Sequence, residues 1–305
     1  MVQKNCVKNK VIVVCGPTAS GKTNLAIDLA KKLDTEIICA DALTVYKKLN
    51  IGTAKVTANE MQGIKHHMID VVEPDCSFSV GDYKELATPI LNDIINRGKI
   101  PIICGGTGFY IKSLLFDFSY GKSVANLKAR EKYMKLAEEK GKEYVFEILK
   151  EVDQDSANKL HYNDLKRVVR ALEIYESGFV KSKIIDEEIP LFDYNAYSFD
   201  YDRDILYQRI NKRVDLMIEQ GLVDEVKELI SNGITSENQS MQAIGYKEIY
   251  SYLQGELDLD TAIDLIKLNT RHYAKRQITF FKKLPNFVTL NPNENNVIDK
   301  ILEKL

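Results

Sequence analysis

Gly16, Gly21, Lys22 and Thr23 are spaced as G-x-x-x-x-G-K-T, directly after the apolar run Val11–Cys15 and before an amphipathic stretch. In a strand–loop–helix unit of this kind, a loop such as Gly16, Pro17, Thr18, Ala19, Ser20 and Gly21 turns backbone N–H groups onto phosphate oxygens. The following helix N-terminus adds partial positive charge. Lys22 then neutralises phosphate, and the Thr23 hydroxyl is placed to ligate Mg²⁺. A di- or triphosphate ligand is expected, because a chance turn needs neither the strand before it nor the helix after it.

Which phosphate chemistry follows depends on what faces that loop. A hydrolase of this type ends another strand with an Asp on the Mg²⁺ water shell. Here Ile100–Cys104 runs instead into Gly105-Gly106-Thr107-Gly108, and the nearest strand-terminal acid is Asp41, after Glu36–Ala40. Open α/β sheets bind ligands at the carboxyl ends of their strands, so Asp41 and Thr107 are expected to face Lys22 across one cleft. A helix N-cap is the plainer role for Asp41, and a structural turn for Thr107. Arg209 and Arg213, four apart on one helical face, suit a clamp on oxyanions; a solvated surface pair has the same spacing. Between Thr261 and Lys283 there are six Lys/Arg and one Asp, a local +5 in a chain of net charge −2. Arg271, Lys275 and Arg276 alternate there with aromatic residues, as for a phosphate backbone with stacked bases, or for a solvated helix face. His66-His67 lacks a third metal ligand.

The elements that hold these residues alternate. Strand-like runs occur at Lys10–Cys15, Glu36–Ala40, His67–Val72, Ile100–Cys104, Ala196–Asp200 and Phe287–Leu290, with helical patterns at Lys22–Lys32 and Tyr83–Asn96. The rhythm breaks from about Phe118 to Pro190, where helical patterns (Asn126–Lys140, Glu143–Glu151, Asp164–Glu176) follow one another without a strand. A long helix over Arg203–Asn232 and another over Asp260–Lys283 complete the pattern. The expected fold is α/β: a P-loop NTPase-like parallel sheet flanked by helices, formed by residues 1–117 and 191–305, with an all-helical domain inserted at 118–190. The 45% hydrophobic and 28% charged content of the 305 residues excludes a disordered or fibrous chain. Apolar runs too short to span a bilayer argue against a membrane protein. Five widely spaced cysteines without a C-x-x-C pair exclude a zinc or disulfide framework, and Cys15, Cys39 and Cys104 read as small buried hydrophobes. With no secretory pattern over Met1–Lys10, a cytoplasmic protein is expected.

Together these motifs resemble one family. Gly16–Thr23, Asp41, Asn50–Lys55, His66–Asp70 and Gly105–Tyr110 occur in the order of the tRNA dimethylallyltransferases. His161–Arg167, Arg170–Glu173, Arg209–Met217, Gln242–Lys247 and Thr270–Gln277 continue it, so the resemblance runs from about Lys10 to Lys283. It is of the bacterial type, without the C-terminal zinc finger of many eukaryotic members. Where the family reads Asp-Ser-x-Gln-x-Tyr, this chain has Asp41-Ala42-Leu43-Thr44-Val45-Tyr46, which removes a hydroxyl and a carboxamide. Phe280 stands where tryptophan is common.

The resemblance implies transfer of a dimethylallyl group from its diphosphate to N6 of the adenosine 3′ to a tRNA anticodon. Asp41 is then the general base, Thr107 positions the reacting centre, and Arg213 stabilises departing diphosphate. Residues implied to meet tRNA are Asp41, Ala42, Leu43, Thr44 and Thr107; Lys128, Asn163, Asp164, Leu165, Lys166 and Arg167 of the insertion; and Gln242, Gly245, Tyr246, Lys247, Arg271, Lys275, Arg276 and Gln277. Mg²⁺ is the implied cofactor, the anticodon stem-loop and dimethylallyl diphosphate the partners, and a monomer the expected state. The residues alone also leave open a small-molecule kinase, an adenylate prenyltransferase and a non-catalytic nucleotide sensor. A small acceptor would require neither the insertion nor the basic C-terminal helix.

Overall fold

A computed structural model describes residues 9–117, 126–184 and 189–305. Cys6, most of the Met1–Lys10 segment and the start of the expected insertion at 118 lie outside the described residues. Six strands, β1 (Lys10–Cys15), β2 (Ile37–Cys39), β3 (His66–His67), β4 (Ile102–Gly105), β5 (Asp193–Phe199) and β6 (Phe287–Leu290), form one sheet ordered β3-β2-β4-β1-β5-β6. Every pairing is parallel. The central strand β1 is apolar without alternation because both of its faces are covered.

Helices α1 (Lys22–Leu33), α2 (Ala58–Met61), α3 (Val80–Asn96) and α4 (Gly108–Leu115) connect the first four strands or follow them. Leu25, Ala26 and Leu29 of α1 pack on Ile12, Val14, Ile102 and Cys104 of the sheet. Burial of each leucine contributes roughly 1.5–3 kcal/mol, which anchors the helix whose first turn must present Lys22 and Thr23. Helix α3 begins earlier than its apolar pattern because Ser79 and Asp82 form a capping box. Cys15 and Cys104 are buried free thiols, as expected.

By contact density the chain divides into Met1–Leu115 with Leu191–Leu305, and Phe116–Pro190. In the second unit α5 (Leu127–Lys140), α6 (Lys142–Val152), α7 (Gln154–Ala157) and α8 (Leu165–Glu176) enclose a core of their own around Tyr133, Leu149, Val168 and Leu172. The first unit continues with α9 (Arg203–Glu219), α10 (Leu222–Ser231), α11 (Tyr246–Leu253), α12 (Leu259–Phe281) and α13 (Val297–Leu302). Among the described residues, no helix is long and apolar enough to cross a membrane.

Two expectations need correction. The single helix over Arg203–Asn232 is two helices, because Gly221 adopts φ +97° and caps the start of α10; this re-aims Leu222 and Val226 into the core. The strand over His67–Val72 ends at His67, since Met68 and Asp70 have φ of +63° and +55°, outside any strand conformation. Val72 still makes an isolated bridge to Tyr46.

The edge of the sheet is tied by Glu36, just before β2. Its carboxylate lies 2.6 Å from His67 Nε2 and 2.5 Å from Arg97 Nη1. The Arg97 hydrogen bond holds the Glu36 carboxyl down at about 2. A carboxylate depressed in the folded state adds stability above its unfolded pKa and loses it as pH falls through the folded one. Glu36→Gln is therefore expected to lower the melting temperature at pH 7, with the gap to wild type closing as pH drops from about 4.5 towards about 2. Thermal melts of both proteins across that range check it.

Candidate active site

The phosphate loop is fastened from three directions. Gly21, at φ +84°, caps α1 in a left-handed conformation open to glycine. Arg209 Nε donates to the Ala19 carbonyl at 2.8 Å. Gln277 accepts from Thr18 N at 3.3 Å and donates through Nε2 to the Gly106 carbonyl at 2.9 Å, so one amide bridges the loop after β1 to the loop after β4. Lys22 Nζ folds over the loop to the Pro17 carbonyl at 3.2 Å. Ser20 Oγ is buried with no hydrogen-bond partner among the described residues.

Asp41 and Thr107 come together at the neighbouring strand ends. Thr107 N donates to the Ala40 carbonyl at 3.0 Å, and its Oγ1 accepts from Ala42 N at 2.9 Å. The Thr107 hydroxyl therefore keeps its own hydrogen to donate. This closeness requires Gly105: a Cβ there would collide with the Ala40 carbonyl. Asp41 caps no helix. Its Oδ1 accepts from Leu43 N at 3.0 Å, and no other hydrogen bond reaches its carboxylate from the described residues.

Thr18, Lys22, Thr23, Asp41, Thr107 and Arg213 line one cavity of about 500 Å³. Its remaining wall is largely apolar, including Ile37, Val56, Ile69, Ile210 and Met217. A second cavity of about 660 Å³ opens by Ala19, Ser20, Arg209 and Lys212, and shares Lys22, Thr23 and Arg213 with the first. Burial pushes Lys22 below the usual lysine range, and the nearby Arg213 cation adds to that shift. Burial also lowers Arg213, while the Asp41 carboxylate opposes the shift at both cations. Lys22 and Arg213 beside the Asp41 carboxylate in a half-buried cavity favour an anionic ligand, which would offset their desolvation. Cys104 lines the same cavity, its thiol pushed up to about 11 by burial, which favours the neutral thiol.

The other expected contact residues divide by exposure. Ala42, Leu43, Thr44, Gln242, Gly245, Lys247 and Arg276 line the first cavity. Lys275 is exposed, whereas Arg271 is held against α9 by Asn211 at 2.8 Å. Gln277, which also lines the first cavity, and Tyr246 already have partners within the protein. Both are buried, the Gln277 amide is used in the loop bridge, and the Tyr246 hydroxyl donates to Glu225 at 2.6 Å. In the second unit Lys128, Asn163, Lys166 and Arg167 are exposed. Arg167 pairs with Asp164 at 3.3 Å, and Leu165 is half-buried against that unit's core.

Two residues had no assigned role from sequence. Tyr273 lines the first cavity beside Thr107, its phenol pushed up to about 12 by burial, with Asp41 adding to the shift. Glu225 accepts from the backbone N–H groups of Asn50, Ile51 and Gly52 at 2.8–3.2 Å, and from Tyr246. It thereby holds the segment whose Ala54 carbonyl faces Arg213 Nη2 at 3.5 Å. In the sequence Glu225 looks like any helix-surface glutamate; only its distant partners distinguish it. Glu225→Ala is expected to cost about 1–3 kcal/mol of stability through the N–H groups it leaves unmet. Glu225→Gln, which keeps an acceptor oxygen, should cost less, and urea titrations establish the order.

The profile of the IPP transferase family matches residues 44–284. The tRNA dimethylallyltransferase of Acetivibrio thermocellus is 45% identical over 301 residues, 97% of this chain and 96% of that protein. The crystal structure of full-length tRNA isopentenylpyrophosphate transferase from Bacillus halodurans is similar with TM-score 0.72 and 40% identity, covering 97% of this chain and 94% of that one. A eukaryotic dimethylallyltransferase, described in crystallographic snapshots as acting on tRNA, is similar with TM-score 0.81 and 30% identity, over 97% of this chain and 77% of that one. The phosphate loop, Asp41, Thr107 and Arg213 thus meet around one cavity in a chain that belongs to the IPP transferase family.

Proposed function

We propose that this protein transfers the dimethylallyl group of dimethylallyl diphosphate to the exocyclic N6 of the adenosine 3′-adjacent to the anticodon of tRNA, releasing diphosphate. The observation that carries this reading is the convergence of Lys22, Asp41, Thr107 and Arg213 on one cavity with a largely apolar wall. The phosphate loop, Lys22 and Arg213 hold diphosphate, and the apolar wall suits a hydrocarbon group. N6 attacks C1 of the dimethylallyl group, the C1–O bond breaks, and its electron pair leaves with diphosphate towards Arg213. The N6 proton passes to Asp41. A carboxylate is a weak base, yet it suffices because the amine becomes acidic only as the new C–N bond forms.

Thr107 donates its hydroxyl hydrogen at the reacting centre, held in place by the Ala42 N–H. Thr23 lines both cavities beside Lys22. That is a fitting place for Mg²⁺, which keeps several waters and leans on substrate phosphates; bound there, it would neutralise diphosphate charge. The target base must leave its stack, at a cost of a few kcal/mol. Gln242, Lys247 and Arg276 at the cavity, with Lys128, Asn163, Lys166 and Arg167 of the inserted unit, are proposed to offset that cost on the anticodon stem-loop. We place the enzyme in the cytoplasm as a monomer.

Incubation with labelled dimethylallyl diphosphate and either unmodified tRNA or AMP, and separately with ATP, identifies the acceptor. Product on tRNA supports this reading; product on AMP alone marks an adenylate prenyltransferase, and phosphorylation by ATP a kinase. Lys22→Ala is expected to abolish turnover with an unchanged circular dichroism spectrum. Asp41→Asn should lower kcat about 10²–10⁴-fold while altering tRNA affinity far less. Arg213→Ala should slow the reaction well beyond a surface control, Lys227→Ala.

A further inference from the structure

Helix α4 follows the Gly105–Gly108 turn and buries Tyr110, Ile111, Leu114 and Leu115. Phe109 and Lys112, three apart, lie on its outward face, and Phe109 is 62% exposed. The Phe280 ring meets Phe109 edge-on, with centroids 5.3 Å apart, and Lys112 Nζ lies 5.5 Å from the centre of the Phe280 ring. Phe280 overlies Gly108 so closely that a side chain there would overlap its ring. Phe280 also sits four residues, one helical turn, beyond Arg276, which lines the cavity with Thr107. An exposed aromatic side chain, in edge contact with a ring that carries the Lys112 ammonium, thus lies two residues from Thr107.

A lone exposed hydrophobe is ordinary. This one lies two residues from Thr107 of the anionic-ligand cavity, with a lysine ammonium over the ring that braces it, a combination that suits a nucleobase between phosphates better than an apolar protein face. We propose that Phe109, braced by Phe280, is a stacking platform for an unpaired base flanking the adenosine that enters the cavity. This rests on the tRNA reading above. No bond is made or broken at this site: the base keeps a stacking partner when its neighbour leaves the stack.

The test measures binding of a fluorescein-labelled anticodon stem-loop RNA by anisotropy at several salt concentrations. Phe109→Ala should weaken binding about 5- to 150-fold, the range for loss of one base–aromatic stack. The slope of log K against log[salt] should not change, because stacking releases no counterions. Lys275→Ala, in contrast, should flatten that slope by about one unit if it meets a phosphate. Phe109→Tyr and Phe109→Trp should retain affinity, whereas Phe109→Leu should fall with alanine. KM for dimethylallyl diphosphate should stay unchanged in all four Phe109 variants.

Wild-type affinity in Phe109→Ala, or in Phe109→Leu, would overturn the platform while leaving the tRNA reading intact. A wild-type protein that neither binds the RNA nor modifies tRNA would overturn that reading, and the platform with it. Melting temperatures verify folding, which an exposed side chain at this position should not disturb.

Discussion

Holding Lys22 and Arg213 near one another, half-buried and opposed chiefly by the carboxylate of Asp41, is the constraint on which the rest of this structure depends. Like charges in a desolvated space repel and lose hydration, so the folded chain must position them by other interactions until an anion arrives. The parallel sheet supplies much of that positioning. Strands β1, β2 and β4 are mutually registered, with Ile12 and Ile37 both opposite Ile102. Their carboxyl ends therefore deliver the phosphate loop, Asp41 and Thr107 to one edge. Arg213 comes from α9, which is brought against the phosphate loop through the Arg209 bond to Ala19.

Neutral and anionic side chains brace the loops around the site. Gln277 joins two phosphate-side loops through one amide, and Glu225 gathers three successive backbone N–H groups of the segment beside Arg213. These contacts span many residues of sequence, and they answer the same problem: loops at strand ends carry backbone donors and acceptors that must be paired when partly buried. A brace of this kind limits the reorganisation that ligand binding requires.

The departure from the family pattern after Asp41 acquires a physical reading here. The Ala42 backbone N–H is the donor to Thr107 Oγ1, so the serine-to-alanine change at that position leaves this contact in place. The Thr44 hydroxyl reaches back to the Asp41 carbonyl at 3.4 Å, a long, weak contact. The contacts of Asp41 and Thr107 are thus insulated from the two substitutions, which alter only the side chains offered at the cavity.

By itself the sequence determined the alternating α/β architecture, the interruption by consecutive helices, the phosphate loop and the placing of Asp41 and Thr107 at strand ends. These are local signals: apolar runs of strand length, glycine spacing, and an acid or a hydroxyl at a strand end. Family resemblance then narrowed the chemistry. Only the tertiary structure decided the break at Gly221, the early end of β3, the inward roles of Gln277 and Tyr246, and the brace by Glu225. Gly221 in a charged helical pattern and glutamate on a helix surface carry no local mark of their role. What distinguishes Gly221 is a positive φ; what distinguishes Glu225 is a partner more than 20 residues away, and Gln277 has one 259 residues distant. Distances of that kind arise when a sheet edge, a helix and a loop are packed together, because burial then obliges each polar group to find whichever donor or acceptor the fold has brought beside it.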